Sequence, residues 1–338
     1  MQNGALVQVG ILSTGTYVPN TFMSSGELAE ATGIPENIIR DKFGVHRKPM
    51  PGPDDHPCAM GARAAKAALD KAGVDPLEID VVLSISEEYK EHPLMVSGIK
   101  IQQFVGAKNA WAVDLAQRCC TTISALQIAK GLMASDDSIN TILLAGGYRN
   151  GDLIDYRNPR VSFMYSLAAA GGALVLRRGH DKNLVMGTAL ISDGDFADDV
   201  RVHAGGTVCP VQPEHIGTGA MMLDVTDVDA MKARLRDRSH PNFMSVIRKA
   251  AEKSGFEAVD YLGLLHMKRS AHHAVLGELG LGEDRAVYLE DYGHMGQLDP
   301  IFCLELGAES GRLQAGMKVV LASAGVSYAW GAAGVRWG

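Results

Sequence analysis

The stretch "AALDKAGVDPLEIDVVLSIS", residues 67–86, joins a small-residue helical pattern, a glycine stop and a short apolar run. Alanine and leucine favour a helix, glycine ends one, and a run of branched apolar residues is typical of a buried strand. The same order returns in "KAAEKSGFEAVDYLGLLH", residues 249–266. The recurrence predicts an α/β protein in which one unit is used twice.

The segments that follow these two stretches also match in order. Residues 99–120 parallel 274–295, residues 141–149 parallel 319–327, and residues 165–178 parallel 327–338. The match is one of element order at domain scale, too long for the period of a solenoid repeat. We therefore predict two homologous α/β halves, residues 1–180 and 181–338, packed about a pseudo-two-fold axis.

Composition restricts the class of partner. The chain has 338 residues, is 46% hydrophobic and carries a net charge of -7, so it can bury sizeable cores and has no general affinity for nucleic acid or membrane surfaces. The beginning, "MQNGALVQVG", has no charged or long apolar leader region, and no run approaches the length of a membrane span. We expect a cytoplasmic protein.

The cysteine pattern argues against structural crosslinks. The five cysteines are odd in number and show no C-x-x-C spacing, so neither a disulfide framework nor a zinc site is indicated. The histidines show no third ligand at useful spacing, and no metal is expected.

Two adjacent cysteines stand out in "DLAQRCCTTISALQIAKGLM", residues 114–133. Cys119 and Cys120 follow a strand that ends near Asp114 and open an apolar helix. The start of a helix favours a thiolate, which is the nucleophilic form of cysteine. The alternative is that both are ordinary small buried residues.

The repeat supplies candidate partners for the thiol. His294 follows a second-half strand that ends near Glu290 and opens the equivalent helix, while His266 ends the preceding strand, whose first-half counterpart ends close to Glu87. If the strand ends of both halves converge, one thiol and two imidazoles share a pocket. Each histidine taken alone favours a structural role, and the repeat is what favours a catalytic one.

Three segments, "AVDLAQRCCTTISALQIA", "LGLLHMKRSA" and "YGHMGQLDP", together resemble the thiolase superfamily of condensing enzymes. The nearest branch is that of β-ketoacyl-ACP synthase III and 3-hydroxy-3-methylglutaryl-CoA synthase, and the resemblance runs from about Val9 to Arg336. It implies the thiolase fold, with two duplicated α/β halves in five layers, αβαβα.

The resemblance assigns roles to residues. It places the nucleophile at Cys119, with Cys120 in a small-residue position, and the catalytic histidine at His266. His294 stands where this branch has asparagine, and a Cys-His-His set resembles the elongating ketoacyl synthases, in which two histidines together assist decarboxylation and donate to the thioester enolate. The oxyanion-hole amide of the C-terminal strand turn falls on Val326, where glycine is usual, and the nucleophile's own amide is the second donor.

The resemblance also covers the thioester-binding end. In "IPENIIRDKFGVHRK", Ile38 and Lys42 replace the tryptophan and arginine that grip the nucleotide of CoA. No tightly bound cofactor is implied, and CoA or phosphopantetheine thioesters are the substrates. An acidic acyl carrier protein would suit the basic residues expected around the mouth, which are Arg40, Lys42, Arg47, Lys268 and Arg269.

One acidic segment leaves the reaction open. "VVLSISEEYKEHP" resembles the segment in which 3-hydroxy-3-methylglutaryl-CoA synthases place a general acid/base glutamate, and Glu87 falls on it; a charged surface loop is the alternative. In this branch the same loop commonly crosses a homodimer interface. Leu94 and Met95 would then line the partner's acyl pocket.

We therefore predict an acyl-thioester condensing enzyme of fatty acid or polyketide biosynthesis. Cys119 takes an acyl group in a ping-pong reaction, and a Claisen condensation follows that is decarboxylative with a malonyl-like donor. A first alternative is condensation without decarboxylation, or acyl transfer to an amine or alcohol, with Glu87 as base. A second is a catalytically silent thiolase-fold subunit. The departures at Lys42, His294 and Val326 motivate it, as does Met267, which stands where the family usually has glutamine near the catalytic histidine.

Overall fold

The computed structural model describes residues 7–326 and 328–338. The strands of this part are β1 (Val9–Tyr17), β2 (Thr21–Ser24), β3 (Arg47–Met50), β4 (Val81–Ser84), β5 (Trp111–Asp114), β6 (Thr141–Tyr148), β7 (Ala170–Arg178), β8 (Leu184–Ser192), β9 (Val200–Val202), β10 (Leu223–Val225), β11 (Tyr261–Leu264), β12 (Lys318–Gly325) and β13 (Ala329–Arg336). The helices are α1 (Ser25–Thr32), α2 (Glu36–Ile38), α3 (Pro57–Ala72), α4 (Ser97–Val105), α5 (Thr121–Ser135), α6 (Val228–Lys253), α7 (Arg269–Glu278) and α8 (Asp299–Glu309).

The large sheet consists of two halves with the same pairing order. The first half runs β1-β7-β6-β4-β5 and the second β8-β13-β12-β11, and a single residue pair, Gly10 with Leu184, joins β1 to β8. Strands β6, β4 and β5 are parallel, as are β11 and β12, and the remaining pairs are antiparallel. This shared order supports our proposal of two homologous halves.

Helices lie between and outside the two half-sheets. Helices α5 and α8 contact strands of both halves, α3 and α4 cover the outer face of the first, and α6 covers the outer face of the second. Five layers result, as the sequence predicts. The three buried apolar clusters correspond to the two outer faces and the central layer.

Small residues let the outer helix α3 approach its sheet. A Cβ on Gly61 would lie only 2.7 Å from the carbonyl carbon of Gly146 on β6, so glycine is needed at this crossing. The alanine-rich face that predicts α3 thus packs directly on the strands. Gly73, at a φ of 64°, ends the helix in the left-handed conformation.

Two expectations about the second half are wrong. Residues 287–290 form no strand: the Glu290 carbonyl accepts hydrogen bonds from the amides of His46 and Arg47 instead of from a neighbouring sheet strand. His294 does not open a helix either. A 3-10 turn that begins at Gly296, with a φ of 61°, separates it from α8.

The boundary proposed between the halves falls in the connection between β7 and β8. Residues 1–6 of the first half and Ser327 of the second lie outside the described residues. Among the helices of the described chain, none is long and apolar enough to cross a membrane.

Candidate active site

A cavity of about 370 Å³ lies where the ends of the strands from both halves converge. Its walls are mostly apolar side chains, including those of Phe163, Leu223 and Leu235. All five residues predicted as catalytic line it, namely Glu87, Cys119, His266, His294 and Val326. The fold therefore brings these groups together, and their roles remain predictions.

Cys119 lies two residues before α5 and is 7% exposed. The Ser323 hydroxyl donates to the Cys119 carbonyl at 2.7 Å and so fixes the backbone of the nucleophile on β12. A Cβ on Gly325 would be 3.0 Å from the Cys119 amide nitrogen, so glycine there allows the end of β12 to approach closely. Val326 follows at the cavity wall.

Cys120 differs from its neighbour. Its Sγ lies 3.3 Å from the Ser323 carbonyl and 3.4 Å from the Ala329 carbonyl. Burial, together with the nearby Cys119 sulfur, raises the pKa of its thiol far above the ordinary value. This thiol therefore stays neutral and packed.

The ring of His294 lies between the sulfur and a carboxylate. Nε2 is 3.1 Å from the Cys119 Sγ, and Nδ1 is 2.6 Å from the Asp299 Oδ2. The backbone of His294 pairs with the segment around Leu167: its amide donates to the Ser166 carbonyl, and its carbonyl accepts from Ala168. Both ring nitrogens are therefore held in place.

Asp299 is the first residue of α8 and is fully buried. Besides His294, it accepts hydrogen bonds from the amides of His266 at 2.7 Å and Met295 at 2.8 Å. Sequence reasoning missed this residue. The available signal was an aspartate just before a proline, the pattern of a helix start, five residues after His294.

The charges at this site favour an imidazolium. Burial alone would lower the pKa of His294, but the Asp299 carboxylate and the Cys119 sulfur raise it well above its ordinary value. A protonated imidazole stabilises a thiolate beside it, and the carboxylate fixes which nitrogen carries the other proton. The nucleophile Cys119, the base His294 and the orienting carboxylate of Asp299 thus form a continuous series of contacts.

His266 does not supply the second N–H donor that we predicted. Its Nε2 donates to the Gly44 carbonyl at 3.1 Å, and burial lowers the pKa of the ring to about 4. The neutral ring then has no proton on Nδ1, which has no hydrogen-bond partner among the described residues. Of the two imidazoles, only that of His294 can then donate toward a thioester carbonyl.

Glu87 is buried beside the nucleophile. Burial raises the pKa of its carboxyl to about 7, although the Arg118 guanidinium, 3.1 Å from Oε2, opposes that rise. Arg118 also pairs with Glu88 at 2.7 Å. A carboxyl that titrates near neutrality can act as an acid or a base, and Arg118 is a cavity residue that the sequence analysis overlooked.

A buried lysine supports the backbone that pairs with His294. The Lys48 Nζ donates to the carbonyls of Tyr165 and Leu167 and to the Tyr156 hydroxyl, at 2.6 to 2.8 Å. Burial lowers the pKa of Lys48 to about 7. No sequence pattern marks this lysine, because its role depends on the strand pairing of β3.

The predicted basic residues are only partly at the mouth. Lys268 lines the cavity and lies over the ring of Phe43, which also lines it. Arg40 and Lys42 are exposed on the turn leading to Phe43. Arg269 is not on this cavity, because it pairs with Glu290 and stacks on Tyr288. Arg47 pairs with Asp291.

Metal ligands do not cluster: residues 7–326 and 328–338 contain no group of three or more histidine, cysteine, aspartate or glutamate side chains placed to hold an ion. The site instead consists of a thiol, an imidazole and a carboxylate at an apolar cavity between two related α/β halves. This arrangement defines an acyltransferase of the thiolase fold.

Comparison with known proteins agrees with this class. The family description "3-Oxoacyl-[acyl-carrier-protein (ACP)] synthase III" matches residues 113–194, and that of its C-terminal part matches residues 250–337, together about half of the chain. The chain belongs to this family.

Relatives and solved structures match over nearly the whole length. A β-ketoacyl-[acyl-carrier-protein] synthase III of Roseiflexus castenholzii is 24% identical over 330 residues, 97% of each chain. A 3-oxopimeloyl-[acyl-carrier-protein] synthase of Rhodothermus marinus is 25% identical over 335 residues, 98% of this chain and 94% of the relative. The priming β-ketosynthase of the R1128 polyketide pathway superposes with a TM-score of 0.85 at 20% identity, covering 100% of this chain and 98% of its own.

These findings confirm the predicted thiolase fold and the main functional prediction, a condensing enzyme with acyltransferase activity. They support it over the alternative of a catalytically silent subunit.

Proposed function

We propose that Cys119 accepts an acyl group from a thioester and passes it to a second thioester by Claisen condensation. The observation that carries this proposal is the 3.1 Å contact between the Cys119 sulfur and the His294 Nε2 inside the cavity. In the first stage a bond forms between Sγ and the acyl carbon, and the carrier's C–S bond breaks. The leaving thiolate takes up the proton that His294 received from the thiol.

The second stage uses the same groups. The enolate of the second thioester attacks the acyl carbon, a C–C bond forms, and the bond to Sγ breaks; a malonyl-like donor loses CO2 as the enolate forms. After acylation His294 takes up a proton from solvent, and the resulting imidazolium stabilises the enolate oxygen, while the amides of Cys119 and Val326 stabilise the tetrahedral oxyanion. Such donors are worth about 3 kcal/mol each.

An acyl carrier protein is the carrier that the surface favours. Carrier-dependent synthases are the named relatives. Lys268 lines the cavity, and the exposed Arg40 and Lys42 precede the cavity residue Phe43 along the chain, so these three cations are available to an acidic carrier. Ile38 offers no aromatic face on which a nucleotide base could stack. Acyl-CoA remains a second possible donor because its reactive arm has the same chemistry.

A second candidate function is acyl transfer to an alcohol or amine. The chain from Cys119 through His294 to Asp299 is the arrangement that activates nucleophiles in acyl transfer, and it can deprotonate an incoming hydroxyl. The Nε2–H of His266 donates to the Gly44 carbonyl, so one imidazole donor instead of two is available to an enolate. Condensation without decarboxylation remains the role proposed for Glu87, whose pKa of about 7 suits a base.

We further propose a cytoplasmic homodimer. Strand β5 is an edge of the sheet with exposed Trp111 and Val113, and the adjacent α4 exposes Ile99 and Phe104. An exposed apolar edge strand is a template for pairing with a second copy. Leu94 lies on the nearby loop, fully exposed and at a φ of 64°, as expected of a residue that inserts into a partner.

The test follows the acyl group. The protein is incubated with an acyl carrier thioester, and acylation of Cys119 is measured by intact mass. Malonyl carrier is then added, with hydroxyl and amine acceptors in parallel. β-Ketoacyl product with release of CO2 supports condensation, an ester or amide supports the second candidate, and no acylation contradicts both.

A further inference from the structure

Arg118 precedes the nucleophile and lines the same cavity. Its backbone has a φ of 50°, a left-handed conformation that costs a residue with a side chain about 1–3 kcal/mol. The Thr121 side chain holds this conformation, since its hydroxyl donates to the Arg118 carbonyl at 2.6 Å and accepts from the Gln117 amide at 2.8 Å. A strained residue fixed next to the reacting sulfur indicates a function for its side chain.

The guanidinium has one edge in use and one edge open. Its contacts to Glu87 and Glu88 both go through Nη1. Throughout residues 7–326 and 328–338, no hydrogen bond uses its Nε or Nη2. The side chain lines the cavity and is 38% exposed, which leaves this second edge available to a ligand. Two parallel N–H groups on a planar cation match the two oxygens of a carboxylate.

We infer that Arg118 binds a free carboxylate on the acyl group that Cys119 carries, so that the enzyme selects dicarboxylic acyl thioesters. This inference rests on the proposed function and names the substrate class of the same site. The covalent step is unchanged: the sulfur–carbon bond forms at one end of the acyl group, the carrier's thiol leaves with a proton, and the carboxylate at the other end stays intact.

The same contact protects the carboxylate from loss. Decarboxylation moves negative charge from the carboxylate to the thioester oxygen, and a cation paired with the carboxylate stabilises the starting state more than the transition state. A carboxylate held by Arg118 therefore remains on the acyl group. A malonyl-like condensing partner would have to bind away from this guanidinium.

Glu87 modulates the site through its charge. The charged and titratable groups around it are Arg118, Glu88, His294, Cys119 and Tyr148. With Glu87 ionised, the two glutamates and the arginine sum to one negative charge, which repels a further carboxylate. With Glu87 protonated they sum to zero. Because its pKa is about 7, dicarboxylic substrates gain as the pH falls below 7.

The test compares matched thioesters on the wild-type protein. Malonyl-, succinyl- and glutaryl-CoA are paired with propionyl-, butyryl- and valeryl-CoA, and the rate of acylation of Cys119 is followed by intact mass from pH 6 to pH 8. We expect at least one dicarboxylic member to react about 10- to 100-fold faster than its partner at pH 6, the range for a charge-assisted bidentate contact. The ratio should fall toward pH 8.

Substitutions at Arg118 and Glu87 show which side chain causes the preference and which causes its pH dependence. Arg118→Met should abolish the preference, so that the two members of each pair react at the same rate on that variant, and Arg118→Lys should retain part of it. Glu87→Gln should keep the preference and remove its pH dependence. Equal rates for all pairs in the wild type, or an Arg118→Met variant that slows both members equally, would overturn the inference alone. Absence of any acylation would overturn the proposed function and this inference with it.

Discussion

The decisive perturbation of the site is Asp299→Asn, which removes one charge and keeps the shape. The Asp299 carboxylate, 2.6 Å from the His294 Nδ1, is the group that most raises the pKa of that imidazole. A unit-charge pair about 4 Å apart in an effective dielectric of about 20 interacts by about 4 kcal/mol. The substitution removes the largest cause that raises the pKa of His294 and leaves burial, which lowers it, so the pKa of the ring should fall.

The consequence for the rate follows from what His294 must do. As an imidazolium it stabilises the thiolate of Cys119 and then protonates the leaving thiolate. With a lower pKa a smaller fraction of the ring is protonated at pH 7.5, and loss of an interaction of about 4 kcal/mol should slow acylation of Cys119 by about 100- to 1,000-fold. The basic limb of the pH–rate profile should move to lower pH, because the required proton is lost earlier.

Protonation of His294 also stabilises the folded protein. The pKa of His294 in the folded protein lies above the unfolded value, so its protonation stabilises the fold fully below pH ~6.5, and this stabilisation is lost as the pH rises through the raised pKa. The variant lacks that stabilisation. It also leaves at least one of the three N–H groups that donate to Asp299 without an acceptor, at about 1–3 kcal/mol for each.

The assay is stopped-flow or quench acylation with intact-mass detection across pH 5.5 to 9, alongside thermal unfolding. Asp193→Asn is the matched control: Asp193 pairs with Arg238 outside the cavity, and its replacement should leave acylation unchanged. If Asp299→Asn acylates within threefold of the wild type and its basic limb stays in place, the reasoning about His294 is refuted.

Other outcomes test neighbouring groups. Cys119→Ala should abolish the acyl-enzyme in intact mass, whereas Cys120→Ala should keep it; the reverse would show that the register is wrong. Glu87→Gln should leave malonyl-dependent turnover within a few-fold if condensation is decarboxylative, and should stop it if Glu87 is the base. Trp111→Lys should convert a dimer to monomer in light scattering if β5 is the interface; an unchanged mass would contradict that.

The sequence was sufficient where local pattern and repeat agree. The helix, glycine and strand of residues 67–86 and their echo at residues 249–266 predict two halves, and the structure repeats the strand order in both. Convergence of the two halves then predicts that Cys119 and His294 meet, although the strand expected before His294 is absent. The contact at 3.1 Å depends on the backbone pairing of His294 with the segment around Leu167 rather than on a local motif.

The sequence was insufficient where tertiary contacts replace local pattern. Residues 287–290 read as a strand, but the Glu290 carbonyl pairs with His46 and Arg47. In the sequence Asp299 has the pattern of a helix start. Only the structure shows that its carboxylate accepts a hydrogen bond from the ring of His294. The N–H of His266 is used by Gly44, a residue far away in the chain. No rule based on spacing in the sequence predicts these pairs.

The histidine at the position of the branch's asparagine changes more than one hydrogen bond. An amide can donate to an oxyanion but cannot exchange a proton with a sulfur, whereas the ring of His294 does both and is held by Asp299. Cys119 and His294 can therefore accept an acyl group and protonate the departing thiolate without a further residue. An enolate that needs two fixed imidazole donors is stabilised less, because the Nε2–H of His266 donates to the Gly44 carbonyl. The identity of the acceptor, enolate or hydroxyl, therefore depends on what enters the cavity after acylation.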